Sequence, residues 1–211
     1  MIGMAAATPP APPSSIAHRV VNNEPVSIEE YRTFQEEEEG RYEYVDGWIV
    51  SMTAASWSHS VIASNIDRTL GNQLHKTDCR TASRDVEVEL PTSASNAFPD
   101  VVVVCGDPKF ADERALRLRN PSVVVEVLSP STMDYDRGEK FARYRQLDTL
   151  QEYLLVAQDR PHVEHYVRQE DSWRFTETDG LDAEIDLPSL DATLPLSEIY
   201  LDVSFDSDEN E

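Results

Sequence analysis

The sequence contains few cysteines, few glycines and few cations. Its two cysteines, Cys79 and Cys105, are too few for a disulfide framework and lack CxxC or histidine spacing for zinc, so we expect them to be reduced in a cytoplasmic protein. None of the seven glycines forms a GxxxxGK[ST], GxGxxG or GxSxG motif, which excludes the usual nucleotide-binding loops and the nucleophile elbow of acyl transfer. The apolar runs are too short to span a membrane, and no secretory leader is recognisable.

Positive charge is scarce and unevenly distributed. Eighteen Lys and Arg residues against forty Asp and Glu residues give a net charge of −22, which opposes binding of a polyanion through the net field. Residues 109–145 are the exception, with eight basic and six acidic residues, whereas no Lys or Arg follows Arg174. The negative charge therefore lies mostly outside this window.

The length of 211 residues fits one domain with loose ends. We assign residues 1–22, which begin with an uncharged stretch rich in Ala, Pro and Ser, to a disordered arm. Residues 23–205 form the single domain, and residues 206–211 form an acidic tail.

Hydrophobic periodicity and turn residues predict a mixed α/β domain. Ser27 and Glu30 have capping-box spacing, and Asp46-Gly47 predicts a hairpin turn within residues 41–52. The other predicted elements are a helix over residues 58–76 with His59 in its first turn, a strand over 85–90, a helix over 134–147, a strand over 152–156 and a hairpin over 162–178. Residues 110–118 are predicted to be a short helix or a mobile basic loop, and residues from 180 onwards to pack loosely.

Two apolar stretches each contain one carboxylate. Residues 99–104 (PDVVVV) place Asp100 at the start of a predicted buried strand, and residues 123–132 (VVVEVLSPST) place Glu126 inside another. A buried carboxylate is costly without a partner, so we expect a cation between neighbouring strands. A divalent metal ion suits the pair, and the alternative is that each acid pairs with a nearby Arg or helix N-terminus.

Lys140, one helix later, completes an inventory suited to metal-assisted hydrolysis. Carboxylates that hold Mg²⁺ allow activation of a water, and an ammonium supports the nucleophile or the charge of the transition state. Two alternatives stay open: Lys140 could be a surface residue paired with Asp136 at i−4, and His59 could be held by a local contact at its helix start.

The motifs YEYVDG, PDVVVV, VVVEVLSPST, DRGEKFARYRQL and EYLLV together resemble the Uma-two family of restriction-endonuclease-like proteins, within the PD-(D/E)XK nuclease superfamily. The resemblance implies an α/β restriction-endonuclease-like core, with a central mixed β-sheet flanked by helices. It implies Asp100 and Glu126 as ligands of Mg²⁺ or Mn²⁺, with Glu43 completing the acidic cluster and the backbone carbonyl of Val127 as a further ligand. It also implies a DNA substrate and self-association as a homodimer.

One departure from the superfamily pattern concerns its lysine. The position two residues after the second acid is Leu128, so Lys140 on the next helix is the expected replacement. The sequence thus predicts a metal-dependent DNA endonuclease acting through Glu43, Asp100, Glu126 and Lys140, with His59 in a supporting role. Two rival functions remain: a catalytically silent binding module of the same fold, and a hydrolase of small phosphorylated substrates.

Overall fold

The computed structural model describes residues 11–83, 85–91, 95–114 and 116–205. The helices are α1 (Ile28–Glu37), α2 (Trp57–Leu74), α3 (Met133–Tyr135), a π-helical turn (Asp136–Lys140), α4 (Phe141–Tyr144) and α5 (Leu196–Ile199), with a 3₁₀ turn at Ala17–Arg19. The first strands are β1 (Tyr42–Val45), β2 (Trp48–Ser51), β3 (Cys79–Ser83), β4 (Glu87–Leu90), β5 (Ser95–Ala97), β6 (Val101–Cys105) and β7 (Arg117–Leu118). The later strands are β8 (Val123–Leu128), β9 (Glu152–Ala157), β10 (His162–Arg168), β11 (Trp173–Asp179), β12 (Glu184–Leu187) and β13 (Ala192–Pro195).

A mixed six-stranded sheet in the order β11-β10-β9-β8-β6-β3 forms the centre of the molecule. Strand β8 pairs parallel with β9 and antiparallel with β6. A five-stranded sheet in the order β2-β1-β5-β4-β7 and the separate hairpin β12-β13 complete the strands. The predicted α/β architecture with a mixed sheet flanked by helices is confirmed.

The two faces of the central sheet bury different partners. On one face, Val123, Val125 and Val127 of β8 pack with the apolar side of α2 and with the C-terminal hairpin and α5. On the other face, Val124 and Leu128 pack with α4 and with residues of the smaller sheet. Because neighbouring side chains of a strand point to opposite faces, Glu126 lies on the same face as Leu128 and α4.

Several local signals in the sequence form as expected. Ser27 and Glu30 make both hydrogen bonds of the capping box at the start of α1. Asp46 and Gly47 have positive φ angles of 51° and 96° in the β1–β2 turn. A side chain at position 47 would clash with Pro25, because its Cβ would lie 2.7 Å from the Pro25 Cβ. The predicted helix over residues 134–147 is present, although a π-helical turn interrupts it.

Other expectations were wrong. Residues 110–118 form neither a helix nor an unattached loop among the described positions; β7 pairs with β4, and Phe110 forms a bridge with Leu118. The C-terminal part does not pack loosely, because Leu187, Leu194 and Leu196 are at most 1 % exposed within the main core. These leucines are isolated in the sequence and follow no helical or strand period, so the sequence did not indicate that they are buried. The acidic tail at 206–211 lies outside the described residues.

The segment assigned to a disordered arm is partly ordered. Ile16 is fully buried against β1, β2 and Tyr135, Val20 forms a bridge with Val50, and the Val21 N–H donates to the Ile49 carbonyl. Val20 and Val21 therefore extend the edge of the smaller sheet beside β2. Three apolar residues in a stretch without period are a weak sequence signal, and residues 1–10 lie outside the described part.

The two cysteines also differ from expectation. Cys79 and Cys105 lie opposite each other in the antiparallel pair β3–β6 and form a disulfide bond. Strand β3 was missed in the sequence, so nothing there brought the two residues together.

None of the helices in the described residues is long and apolar enough to cross a membrane.

Candidate active site

Asp100 and Glu126 lie on neighbouring strands at one end of the central sheet. Val101 of β6 pairs with Val125 of β8, and one further step in this antiparallel register sets Asp100 opposite Glu126. The Val127 N–H donates to Asp100 Oδ2 over 2.8 Å, which fixes the carboxylate against β8. The sequence prediction that the two acids lie on adjacent strands agrees with this arrangement.

Lys140 reaches the same end of the sheet from the helical segment after β8. Its Nζ lies 2.9 Å from Glu126 Oε1, 3.2 Å from Glu43 Oε1 and 3.6 Å from Asp136 Oδ1. The side chain is only 6 % exposed, so the alternative of a surface lysine paired with Asp136 alone does not hold. The π-helical turn that carries Asp136 and Lys140 is a feature often found at functional sites.

Glu43 enters the cluster from the hairpin. It lies in the middle of β1, is 2 % exposed, and accepts a hydrogen bond of 3.2 Å from the Phe98 N–H. Its neighbours Tyr42 and Tyr44 belong to a separate apolar cluster beside α1, so alternation along the strand directs Glu43 to the side where Lys140 lies.

His59 contacts Asp100 from the first turn of α2. Ser56 caps this helix by accepting from the His59 N–H, and the imidazole Nε2 lies 2.8 Å from Asp100 Oδ1. Both oxygens of Asp100 are therefore engaged, one by His59 and the other by the backbone of β8. The local cap and the contact at the site occur together, because the cap uses the backbone N–H of His59 and the contact with Asp100 uses its ring.

A cavity of about 560 Å³ joins these groups. Its wall includes all five residues predicted for the site, namely Glu43, His59, Asp100, Glu126 and Lys140, together with Val127. The wall also includes Ser129, Ser131 and Thr132 from the turn after β8, and the two arginines Arg19 and Arg41. Cations and anions are thus combined in one concave site.

Burial and mutual repulsion determine the ionisation of the acids. Burial raises the pKa of Glu126 well above its usual value, with Asp136 and Asp100 adding to the effect and Lys140 opposing it. Burial likewise raises the pKa of Asp136 against the influence of Lys140. For Asp100, burial is outweighed by His59, the Val127 N–H and Lys140, so its pKa is lowered.

The Lys140 ammonium stays charged. Burial would lower the pKa of Lys140, but the carboxylates of Glu126, Glu43 and Asp136 outweigh this effect and raise it well above the usual value. The ammonium of Lys140 is therefore the shared ion-pair partner of three buried carboxylates. This cluster is short of positive charge.

The donor chemistry fits the divalent ion that the fold family implies. Oε1 of Glu126 is a buried atom that receives no well-directed hydrogen bond in the described structure, since the contact with Lys140 is an ion pair only. Carboxylate oxygens are the ligands that Mg²⁺ and Mn²⁺ prefer. Within the described residues, however, no three acid, histidine or cysteine side chains are gathered as a ready ligand set.

Asp136 and Arg19 are two residues of the cavity wall that the sequence did not predict as members of the site. Asp136 was considered only as a surface partner of Lys140, and its spacing of four residues was the signal that could have placed it beside the lysine. Arg19 lies in the segment expected to be disordered, and no pattern in the sequence links it to the cavity.

Comparison with known proteins finds a matching family profile, similar sequences and a similar fold. A profile of the Uma2 family, described as "Putative restriction endonuclease", matches residues 28–202. Two uncharacterised proteins of Synechocystis sp. are similar: sll1609 is 35 % identical over 158 residues, covering 74 % of this chain and 89 % of its own. The second, slr1290, is 34 % identical over 182 residues, covering 85 % of this chain and 94 % of its own.

A crystal structure from Anabaena variabilis, described as a "putative nuclease belonging to DUF820", has the same fold. It superimposes with a TM-score of 0.70 at 19 % identity and covers 83 % of this chain and 98 % of its own. The family profile spans more than half of the chain, and the motifs it covers are those that build the cavity. The chain is therefore a member of the Uma2 family of restriction-endonuclease-like proteins.

Proposed function

We propose that the protein is a metal-dependent phosphodiesterase that hydrolyses DNA as an endonuclease. The observation that carries this proposal is the position of Lys140, whose ammonium lies 2.9 Å from Glu126 although the superfamily's lysine position is occupied by Leu128. Restriction-endonuclease-like sites combine carboxylates with a lysine, and here a different element supplies the lysine to the same face of the sheet. Membership of the Uma2 family supports a nuclease-like activity.

The residues have distinct proposed roles. Asp100 and Glu126, with the Val127 carbonyl, would hold Mg²⁺ or Mn²⁺, and Glu43 would complete the acidic cluster. A bound ion of this kind lowers the pKa of a water and neutralises charge that develops on the phosphate. Lys140 stabilises the attacking oxygen or the transition-state charge with a permanent ammonium, and His59 holds the orientation of Asp100 through its 2.8 Å contact.

Cleavage of supercoiled plasmid with Mg²⁺ or Mn²⁺ tests the proposal. We expect nicking by the wild type and a loss of about a hundredfold or more in Asp100→Asn and in Glu126→Gln, because each variant replaces a proposed carboxylate ligand of the ion by an amide. Glu152→Gln is the matched control, since Glu152 is a fully buried carboxylate that contacts His165 at the opposite end of the β8–β9 pair.

Each outcome separates the proposed function from its rivals. Cleavage that persists in both site variants would refute the metal site. Hydrolysis of bis(p-nitrophenyl) phosphate without cleavage of any DNA would favour the hydrolase of small phosphorylated substrates. Absence of both activities in a folded wild-type protein would favour a binding module.

A further inference from the structure

Arg19 is a buried cation without a counter-ion in the described structure. The residue is 8 % exposed, and its Nε and Nη2 atoms are buried without a hydrogen-bond acceptor among the described residues. It lies in the wall of the cavity that contains Asp100 and Glu126, yet no carboxylate of the described residues comes within ion-pairing distance of it. The other arginine of that wall, Arg41, pairs with Asp85 on the surface.

An arginine in this position requires an anion. A guanidinium does not lose its proton in proteins, so burial cannot be relieved by neutralisation as it can for a carboxylate or a lysine. Burial of an unpaired charge is costly, and a bound anion that supplies the missing partner would relieve this cost. Its planar fork of N–H donors matches the oxygen atoms of a phosphate group.

The backbone around Arg19 is held in place. Ile16 anchors the 3₁₀ turn in an apolar cluster with Val45, Trp48 and Val50, and the Arg19 N–H donates to the Ile16 carbonyl over 2.9 Å. The bridge between Val20 and Val50 follows at once. Arg19 is therefore held in the cavity wall by a docked segment, and its position there does not result from a free chain end.

We propose that Arg19 binds a phosphate group inside the cavity and so forms the anion-binding part of the substrate site. The three carboxylates of the cluster share one lysine, and Arg19 has no counter-ion in the described structure. Arg19 and the carboxylates are not paired with each other. A phosphodiester bound in the cavity would satisfy the guanidinium while its scissile bond faces the acidic cluster. The identity of the phosphate as part of DNA rests on the proposed function, but binding of phosphate by Arg19 does not.

Titration with inorganic phosphate in the presence of EDTA and at constant ionic strength tests this inference without catalysis. Melting temperature and calorimetry would be followed for the wild type, Arg19→Gln, Arg19→Lys and the control Arg174→Gln, in which an exposed arginine of the sheet-edge strand β11 is neutralised. We expect phosphate to stabilise the wild type and Arg174→Gln equally. Arg19→Gln should lose about tenfold or more in phosphate affinity, and Arg19→Lys should lose less.

The stability of the phosphate-free protein gives a second readout. Arg19→Gln should melt at or above the temperature of the wild type, because the variant removes an uncompensated buried charge. A large fall in the melting temperature would show that Arg19 has a structural partner and would overturn the inference. Equal phosphate affinity in the wild type and Arg19→Gln, or no phosphate effect on the wild type, would also overturn it.

Failure of the nuclease proposal is distinguishable from failure of this inference. Phosphate binding that depends on Arg19 in a protein that cleaves no phosphodiester supports the inference and refutes the proposed activity. Plasmid cleavage combined with phosphate binding that is independent of Arg19 supports the activity and overturns the role of Arg19.

Discussion

Replacement of Lys140 by methionine is the most direct test of the buried charge cluster. Methionine keeps much of the volume and the unbranched shape of the lysine stem, so the main change is loss of the ammonium. That group lies within 3.6 Å of oxygen atoms of Glu43, Glu126 and Asp136. Its removal leaves three buried carboxylates without a cation among the described residues.

The expected magnitude follows from the cost of breaking a buried ion pair. Removal of one partner lowers the free energy of unfolding by about 3–5 kcal/mol. This is a large part of the total for an ordinary domain, which is about 5–15 kcal/mol. Protonation offers partial relief, because burial already raises the pKa values of Glu126 and Asp136. We therefore expect Lys140→Met to lose about 3 kcal/mol, near the lower end of that range.

Urea unfolding at neutral pH measures this loss. The control Lys76→Met changes an exposed lysine and should stay within about 0.5 kcal/mol of the wild type. The double variant Glu126→Gln/Lys140→Met should be more stable than Lys140→Met by about 1 kcal/mol or more in free energy of unfolding, because an uncharged amide replaces one of the unpaired carboxylates. A Lys140→Met protein as stable as Lys76→Met would refute the cluster as described.

Three further predictions concern stability away from the cavity. Burial, opposed by Arg117, raises the pKa of Glu87 from the usual 4.5 to about 7, so folded wild type retains a proton that the unfolded chain releases, and its stability falls as pH rises through this window. Glu87→Gln should match the wild type in urea unfolding at pH 4 and exceed it by about 1–3 kcal/mol at pH 8, whereas an equal difference at both pH values would contradict the shift. Reduction of the Cys79–Cys105 bond, which joins residues 26 positions apart, should lower the free energy of unfolding by about 3 kcal/mol, and two titratable thiols in the unreduced protein would contradict the bond. Ser27→Ala should cost about 1 kcal/mol in thermal or urea unfolding by removal of the capping box, and Ser27→Thr should lose less.

The sequence predicted the elements whose signals are local. The capping box at Ser27, the hairpin turn at Asp46-Gly47 and the apolar stripe of α2 each depend on residues that are near one another in the chain. Strands β3 and β5 were missed, because Cys79–Ser83 and Ser95–Ala97 are short and carry little apolar alternation. Pairing with β6 and with β1 and β4 stabilises them instead.

The candidate site shows the same division. Asp100 and Glu126 could be identified in sequence because a carboxylate in a run of valines is conspicuous, and the motifs around them marked the family. Lys140 was proposed as a replacement, but a helix after a strand can present a lysine to solvent or to the sheet. The choice depends on how α4 packs, through Phe141 and Tyr144, on the face that carries Glu126.

Short motifs and apolar alternation were enough to predict the family, the mixed α/β class and two carboxylates on adjacent strands. The folded chain was needed to show that Lys140 contacts Glu43 and Glu126, that Cys79 pairs with Cys105, and that Arg19 lies in the cavity wall. These contacts join residues far apart in the chain, and their geometry is determined by sheet register and by the packing of helices and of the N-terminal segment. No local pattern records those long-range constraints.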